Sequence, residues 1–274
     1  MGIRINTNVS SLTTQRHLYN TTVSFNKSME KLASGLRINR AADDAAGLAI
    51  SEGMKSDIRS LGQAARNASD GVSMVQTAEG ALDEVSNILL RMKELAEQSL
   101  GGTLSGAQQD YLDAEYQELL AEIDRIAAGT EFNGITLLDG TLDIDIQVGI
   151  DTAATSTINV ALATTMDAAG LLLVSNIGST GTPGTALAEV DTAIATVSSA
   201  RADFGAKQNR FESSIRNINN QSENLSAANS RIRDVDVASE TSRMTSFQIL
   251  QQAGVSVLAQ ANMTTGLALK LLQG

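Results

Sequence analysis

The side chains that could do chemistry are few and poorly spaced for it. His17 is the single histidine and cysteine is absent. No HExxH pair, thiolate zinc site or Ser–His–Asp triad can therefore be assembled. Neither a GxxxxGKS/T loop nor a GxGxxG turn occurs, so the common glycine-rich phosphate cradles are missing. Asp139, Asp143 and Asp145 sit near a turn without calcium-loop spacing, and read as the solvated face of a strand. The adjacent Asp43 and Asp44 suit a helix start, where carboxylates cap free amides, better than an acid–base pair. The sequence predicts no enzyme, no metal and no cofactor.

What is regular is the apolar spacing. Met54, Leu61, Ala68, Val75, Leu82, Leu89 and Ala96 stand seven apart, as do Val190, Val197, Phe204, Phe211, Ile218, Leu225 and Ile232. A straight helix drifts off a seven-residue repeat, so ladders this long mark helices coiled around apolar neighbours. Ordering each helix costs more backbone entropy than its own side chains return, so the two need each other. The chain is predicted to fold back until its ends meet.

Around the ladders the pattern is nearly palindromic. Residues 3–37 read as a weakly amphipathic helix carrying Leu12, Leu32 and Leu36, and the Asn39–Gly47 stretch as a linker. A long helix runs to about Ser99 and ends at Gly101–Gly102. Ser105 and Gln108 form a capping box for the next helix, which buries Leu112, Tyr116, Leu119, Ile123 and Ile126. The period then becomes two over Leu142–Val148, with Asp139–Gly140 as the hairpin turn before it. Ile158, Val160 and Leu162 predict one more strand. Residues 151–186, rich in Thr, Ser, Ala and Gly, read as an exposed outer tip. A second long helix follows to Ile232, and residues 234–272 form a last weak helix with Phe247, Leu250, Val257, Ala261, Ala268 and Leu271.

The chain is 274 residues long with a net charge of −11. Residues 1–40 hold six bases against the one acid Glu30, and residues 241–274 hold Arg243 and Lys270 with no acid. The surplus of acid therefore lies in the middle, which argues against a nucleic-acid partner. No 18-residue apolar run appears, so no membrane insertion is predicted. Polar residues interrupt the N-terminus where a signal peptide would have its apolar core, and a secreted product would need another export route. The terminal helices offer apolar stripes diluted by Gly, Ser, Thr, Asn and Gln. From periodicity alone they either order only against copies of themselves or extend the monomer's coiled coil.

Several long motifs resemble those of bacterial flagellin. They are INTNVSSL (Ile5–Leu12), SMEKLASGLRINRAADDAAGLAIS (Ser28–Ser51), ASDGVSMVQTAEGALDEV (Ala68–Val85), EFNGITLLDG (Glu131–Gly140), and SRIRDVDVASETSRMT through ILQQAGVSVLAQAN (Ser230–Asn262). The resemblance covers most of residues 1–150 and 185–274. It implies a mainly α fold, a long antiparallel coiled-coil helical rod made by the N- and C-terminal segments. Residues 1–45 plus 235–274 would form an inner terminal domain, disordered in the monomer and ordered in the filament. Residues 46–150 plus 186–234 would form the helical rod domain, with a β-hairpin near 131–149, leaving 151–185 as a short variable tip. The implied product is a secreted, extracellular filament subunit for swimming.

The resemblance also implies partners. Polymerisation would use Leu12, Leu32, Leu36, Phe247, Leu250, Val257 and Leu271. A flagellar export chaperone would cover Phe247, Leu250, Val257, Leu258, Leu267 and Leu271, and type III export would replace the signal peptide. Filament cap and hook-junction proteins would meet the polymer. The segments Leu89–Gln98 and Ala114–Ile126 are similar to the region that engages the Toll-like flagellin receptor of animal hosts. Arg91, Leu95 and Glu115 match its recognised positions, with Leu89 and Gln98 beside them. A hook–filament junction protein would share the paired terminal helices but match the DDAAG and terminal motifs less closely. An unrelated coiled-coil scaffold would explain the ladders but not the motifs.

Overall fold

The structure, a computed structural model, describes residues 7–151 and 153–273, with side chains described except at 154 and 264–273. The elements in chain order are α1 (Val9–Ser34), α2 (Ala45–Leu100), α3 (Gly106–Gly129), β1 (Glu131–Phe132), β2 (Ile135–Thr136), β3 (Asp143–Gln147), β4 (Thr157–Ala161), α4 (Pro183–Arg233) and α5 (Val237–Gln273). The fold is mainly α, as the ladders predict. Two compact units divide the chain: residues 1–56 with 224–274, and residues 57–223.

Helix starts follow local capping chemistry. Asn8 accepts the Ser11 amide at 3.0 Å, and the Asp44 carboxylate accepts that of Gly47 at 2.8 Å. Asp43 stays in the linker, where it accepts the amides of Arg40 and Asn39. At the start of α3, Gln108 reaches back to the Ser105 amide at 2.8 Å, the reciprocal arm of a capping box. Asp236 accepts the amides of Ala238 and Ser239 below α5.

The 57–223 unit holds the apolar core. Leu61, Ala68, Val75, Leu82, Leu89 and Ala96 are buried along α2, as are Val190, Val197, Phe204, Phe211 and Ile218 along α4. The two helices run antiparallel, bridged by Lys93–Asp191 at 2.7 Å and Arg201–Asp83 at 2.9 Å. The ladder positions outside this unit, Met54, Leu225 and Ile232, are only half-buried. The heptad pattern thus continues past the point where the core stops.

The β region departs from the sequence reading. The tight hairpin is β1–β2, with Phe132 opposite Ile135 and Asn133–Gly134 as its two-residue turn, at φ 51° and 77°. Both values are positive, as a type I′ turn requires, and Asn-Gly is the pair that tolerates them best. Asp139–Gly140 instead lies in the link to β3, its carboxylate accepting hydrogen bonds from the Thr136 hydroxyl and the Thr141 amide. Strand β3 pairs antiparallel with β4, Asp145 opposite Asn159.

Residues 151–185, read from composition as an exposed tip, are substantially built in. β4 lies within them, and Met166, Leu171, Leu173 and Ile177 are buried. Most of the stretch from 162 to 182 has neither helix nor strand, so its amides need other acceptors. Carboxylates supply them. Asp124 accepts the Ala168 amide at 2.7 Å, Asp113 that of Ile177 at 2.9 Å, and Asp110 that of Ser179 at 2.9 Å. Glu189 accepts from the Val174 and Ser175 amides and the Ser175 hydroxyl.

Candidate self-assembly surface

The unit made by 1–56 and 224–274 is built differently. α1 and α5 lie antiparallel. The Asn8 side chain donates to the Ala261 carbonyl at 2.9 Å, the Ser11 hydroxyl to Asn262 at 2.9 Å, and Gln251 to the Thr22 hydroxyl at 3.2 Å. A Cβ on Gly254 would sit 3.2 Å from Leu18 Cδ1, so this glycine lets the helices approach closely. Amides, hydroxyls and a small side chain thus take part in the pairing.

Among the described residues, Ile38 and Ala261 are the only buried apolar side chains of this unit. Its other buried side chains include Ser11, Ser28, Ser51 and Glu240. Many of its large apolar residues face outward: Leu12 is 57% exposed, Tyr19 70%, Ile249 61%, and Leu250 and Val257 55% each. Val9, Met29, Val237, Val255 and Met263 are exposed as well. Each such side chain, about half exposed, retains roughly 1 kcal/mol of unrealised burial. Large exposed apolar patches are the feature by which interaction surfaces are recognised.

Of the residues assigned to polymerisation, Leu12, Leu250 and Val257 are exposed and Leu32, Leu36 and Phe247 half-buried. Leu258, assigned to a chaperone, is also half-buried. Leu267 and Leu271 lie outside the described side chains. Sequence reasoning missed the polar pairing by Asn8, Ser11 and Gln251. Their types carry no periodic signal, and their partners lie more than 200 residues away.

The assigned receptor positions divide. Arg91 of α2 donates to Glu115 of α3 through Nε at 2.9 Å and Nη2 at 2.8 Å, and pairs with Glu94 at 3.0 Å. Hydrogen bonds that the guanidinium donates to Glu115, and then to Glu94, hold its pKa above the ordinary value. This pair and Gln98 are exposed. Leu89 and Leu95 are fully buried. That corrects their reading as surface contacts: they occupy the α2 core stripe, and no partner reaches them while the helix is packed.

No group of three or more candidate metal ligands occurs among the described residues. Among the same residues no helix is long and apolar enough to cross a membrane.

A chain whose terminal helices are paired by polar side chains and sheathed in exposed apolar ones has the makings of a polymer subunit. Family comparison agrees. The bacterial flagellin N-terminal helical region matches residues 5–143, and the flagellin C-terminal helical region matches residues 187–272. Flagellin of Halalkalibacterium halodurans is 45% identical over 270 residues, covering 98% of this chain and 99% of that one. Bacillus subtilis flagellin is 42% identical over 307 aligned positions, covering 99% and 100%. Among solved structures, Bacillus cereus flagellin superposes with a TM-score of 0.50 at 36% identity, covering 60% of this chain and 94% of that one. The chain belongs to the bacterial flagellin family, whose members are structural, non-enzymatic subunits of the extracellular flagellar filament. The stretch that neither family region covers, 144–186, contains the carboxylate-held tip.

Proposed function

We propose that copies of this chain polymerise through the α1–α5 pair, and that these two helices order fully only on docking. The observation behind this reading is the imbalance in their unit, with Ile38 and Ala261 inside and Leu12, Tyr19, Ile249, Leu250 and Val257 outside. A contact between different faces of successive copies does not close, so it generates an open helical filament. A first subunit has no neighbour to fold against, so nucleation is slow and elongation from seeds is fast. The test is seeded elongation followed by light scattering with Leu250→Glu or Val257→Glu. Elongation stops if these positions become buried between copies, and proceeds at the wild-type rate if they stay in solvent.

The same apolar stripe on α5 (Phe247, Leu250, Val257 and Leu258) needs cover before assembly, which is the role of an export chaperone in a type III route. Filament cap and hook-junction proteins would meet the two ends of the polymer. Recognition by the Toll-like flagellin receptor is a second reading, favoured by the exposed Arg91–Glu115 pair that joins α2 to α3. An exposed charged pair of this kind steers encounter and fixes register. In a receptor reporter assay Arg91→Ala loses most signal with the fold intact; full signal from that variant would remove the reading.

A further inference from the structure

Within the 1–56 and 224–274 unit, the chain passes twice between long and terminal helices: at 35–44 into α2, and at 234–236 out of α4. The two passages are tied together. The Val235 amide donates to the Gly35 carbonyl at 3.0 Å and the Arg37 amide to the Arg233 carbonyl at 2.6 Å. Leu36 and Asp234 form an isolated antiparallel bridge. The Arg37 guanidinium donates to the Ile232 carbonyl, capping the C-terminal end of α4, where free carbonyls and the helix dipole favour a cation. Arg233 carries the connection onward: its Nη1 pairs with Glu52 and lies 3.3 Å from the Ser51 hydroxyl. That side chain is only 16% exposed, and Ser51 is buried.

Two arginines in series thus join three segments, the 35–38 connector, the last turn of α4 and the first turns of α2. The polar contacts that Asn8, Ser11 and Gln251 make between α1 and α5 lie at residues 8–22 and 251–262, away from this joint, from which both helices depart. We infer that Arg233 is a positioning residue for polymerisation, holding α1 and α5 in the register a neighbouring copy must meet. This rests on the reading that the terminal pair is the docking surface.

The side chain's own geometry supplies a test. Nη1 makes contacts to α2, while Nε is buried without a hydrogen-bond partner among the described residues, as is Asn229 Oδ1 one turn earlier. A lysine can reproduce the link to Glu52; a methionine fills similar space without it. Wild-type seeds are offered Arg233→Lys, Arg233→Met or wild-type monomer, and elongation is timed by light scattering. Arg233→Lys elongates within about threefold of wild type and Arg233→Met at least about tenfold more slowly, the effect of losing a charge-assisted hydrogen bond. Equal rates for Arg233→Met and wild type, or equal impairment of both variants, overturns the inference. Protection of the Arg37 and Val235 amides from hydrogen exchange reads the joint whether or not the chain polymerises. Those amides lose protection in Arg233→Met and keep it in Arg233→Lys; unchanged protection in both also overturns the inference. Failure of wild-type monomer to elongate counts instead against polymerisation itself.

Discussion

Leu95 and Arg91 lie one helical turn apart on α2, yet substitution should separate them sharply. Leu95 is fully buried and Arg91 48% exposed. Truncating a buried leucine to alanine removes transfer energy and leaves a cavity, together about 2–5 kcal/mol. The 57–223 unit is of a size at which 1 kcal/mol moves the melting temperature by roughly 3 °C. Leu95→Ala should therefore melt about 6–15 °C below wild type, read by far-UV circular dichroism of the monomer. Arg91→Ala should melt with wild type, because its carboxylate partners Glu94 and Glu115 are themselves in solvent. A receptor signal lost in Leu95→Ala then reports a loosened helix, and one lost in Arg91→Ala a missing contact. A Leu95→Ala protein that melts with wild type would refute the placement of this side chain in the core.

Deleting residues 235–274 should leave a helical monomer with the 57–223 core intact, and filaments of wild-type form from that deletion would contradict the role given to α5. Hydrogen bonds from the Ser179 amide and hydroxyl lower the Asp110 pKa below 3.8. The stabilisation it gives is complete above that value and is lost as pH falls through the lowered one. Acid should thus loosen 176–182 before the α2–α4 core, seen as early proteolysis there and abolished as a pH effect in Asp110→Asn. Burial, and then the charges of Glu189 and Asp113, raise the Tyr116 pKa to about 12. Neutral Tyr116 is favoured in the fold, so its contribution is whole below pH 10 and lost as pH rises through about 12, which ultraviolet difference titration reads. The Tyr116 hydroxyl is buried without a partner, so Tyr116→Phe should be neutral or slightly stabilising in thermal melts.

The long helices were legible because one rule, a seven-residue apolar spacing, holds over seven positions on each. Leu82 and Phe204 are where it puts them. The limit of the core was not legible: Leu225 and Ile232 keep the spacing but are only half-buried, since periodicity records which face is apolar and not what covers it. The sequence predicts the hairpin turn at Asp139–Gly140, but Asn133–Gly134 holds the positive φ pair while Asp139 makes a side-chain turn. The tip was misread because Ser, Thr and Gly signal exposure. Its order comes from Asp110, Asp113, Asp124 and Glu189, carboxylates on α3 and α4 that look like ordinary solvated charges in sequence. Arg91 and Glu115, matched through the motifs, form an exposed ion pair, but exposure of Leu95 depends on helix phase, which a matched motif does not report.

If α1 and α5 complete their folding against neighbouring copies, helicity must rise as filaments grow. Purified monomer should be added to short filament seeds while far-UV circular dichroism is recorded, and the product viewed by negative-stain electron microscopy. Helicity rising in step with long filaments of uniform width is the predicted result. Filaments that grow with no gain in helicity would contradict ordering on docking, and monomer that persists beside intact seeds would contradict polymerisation itself.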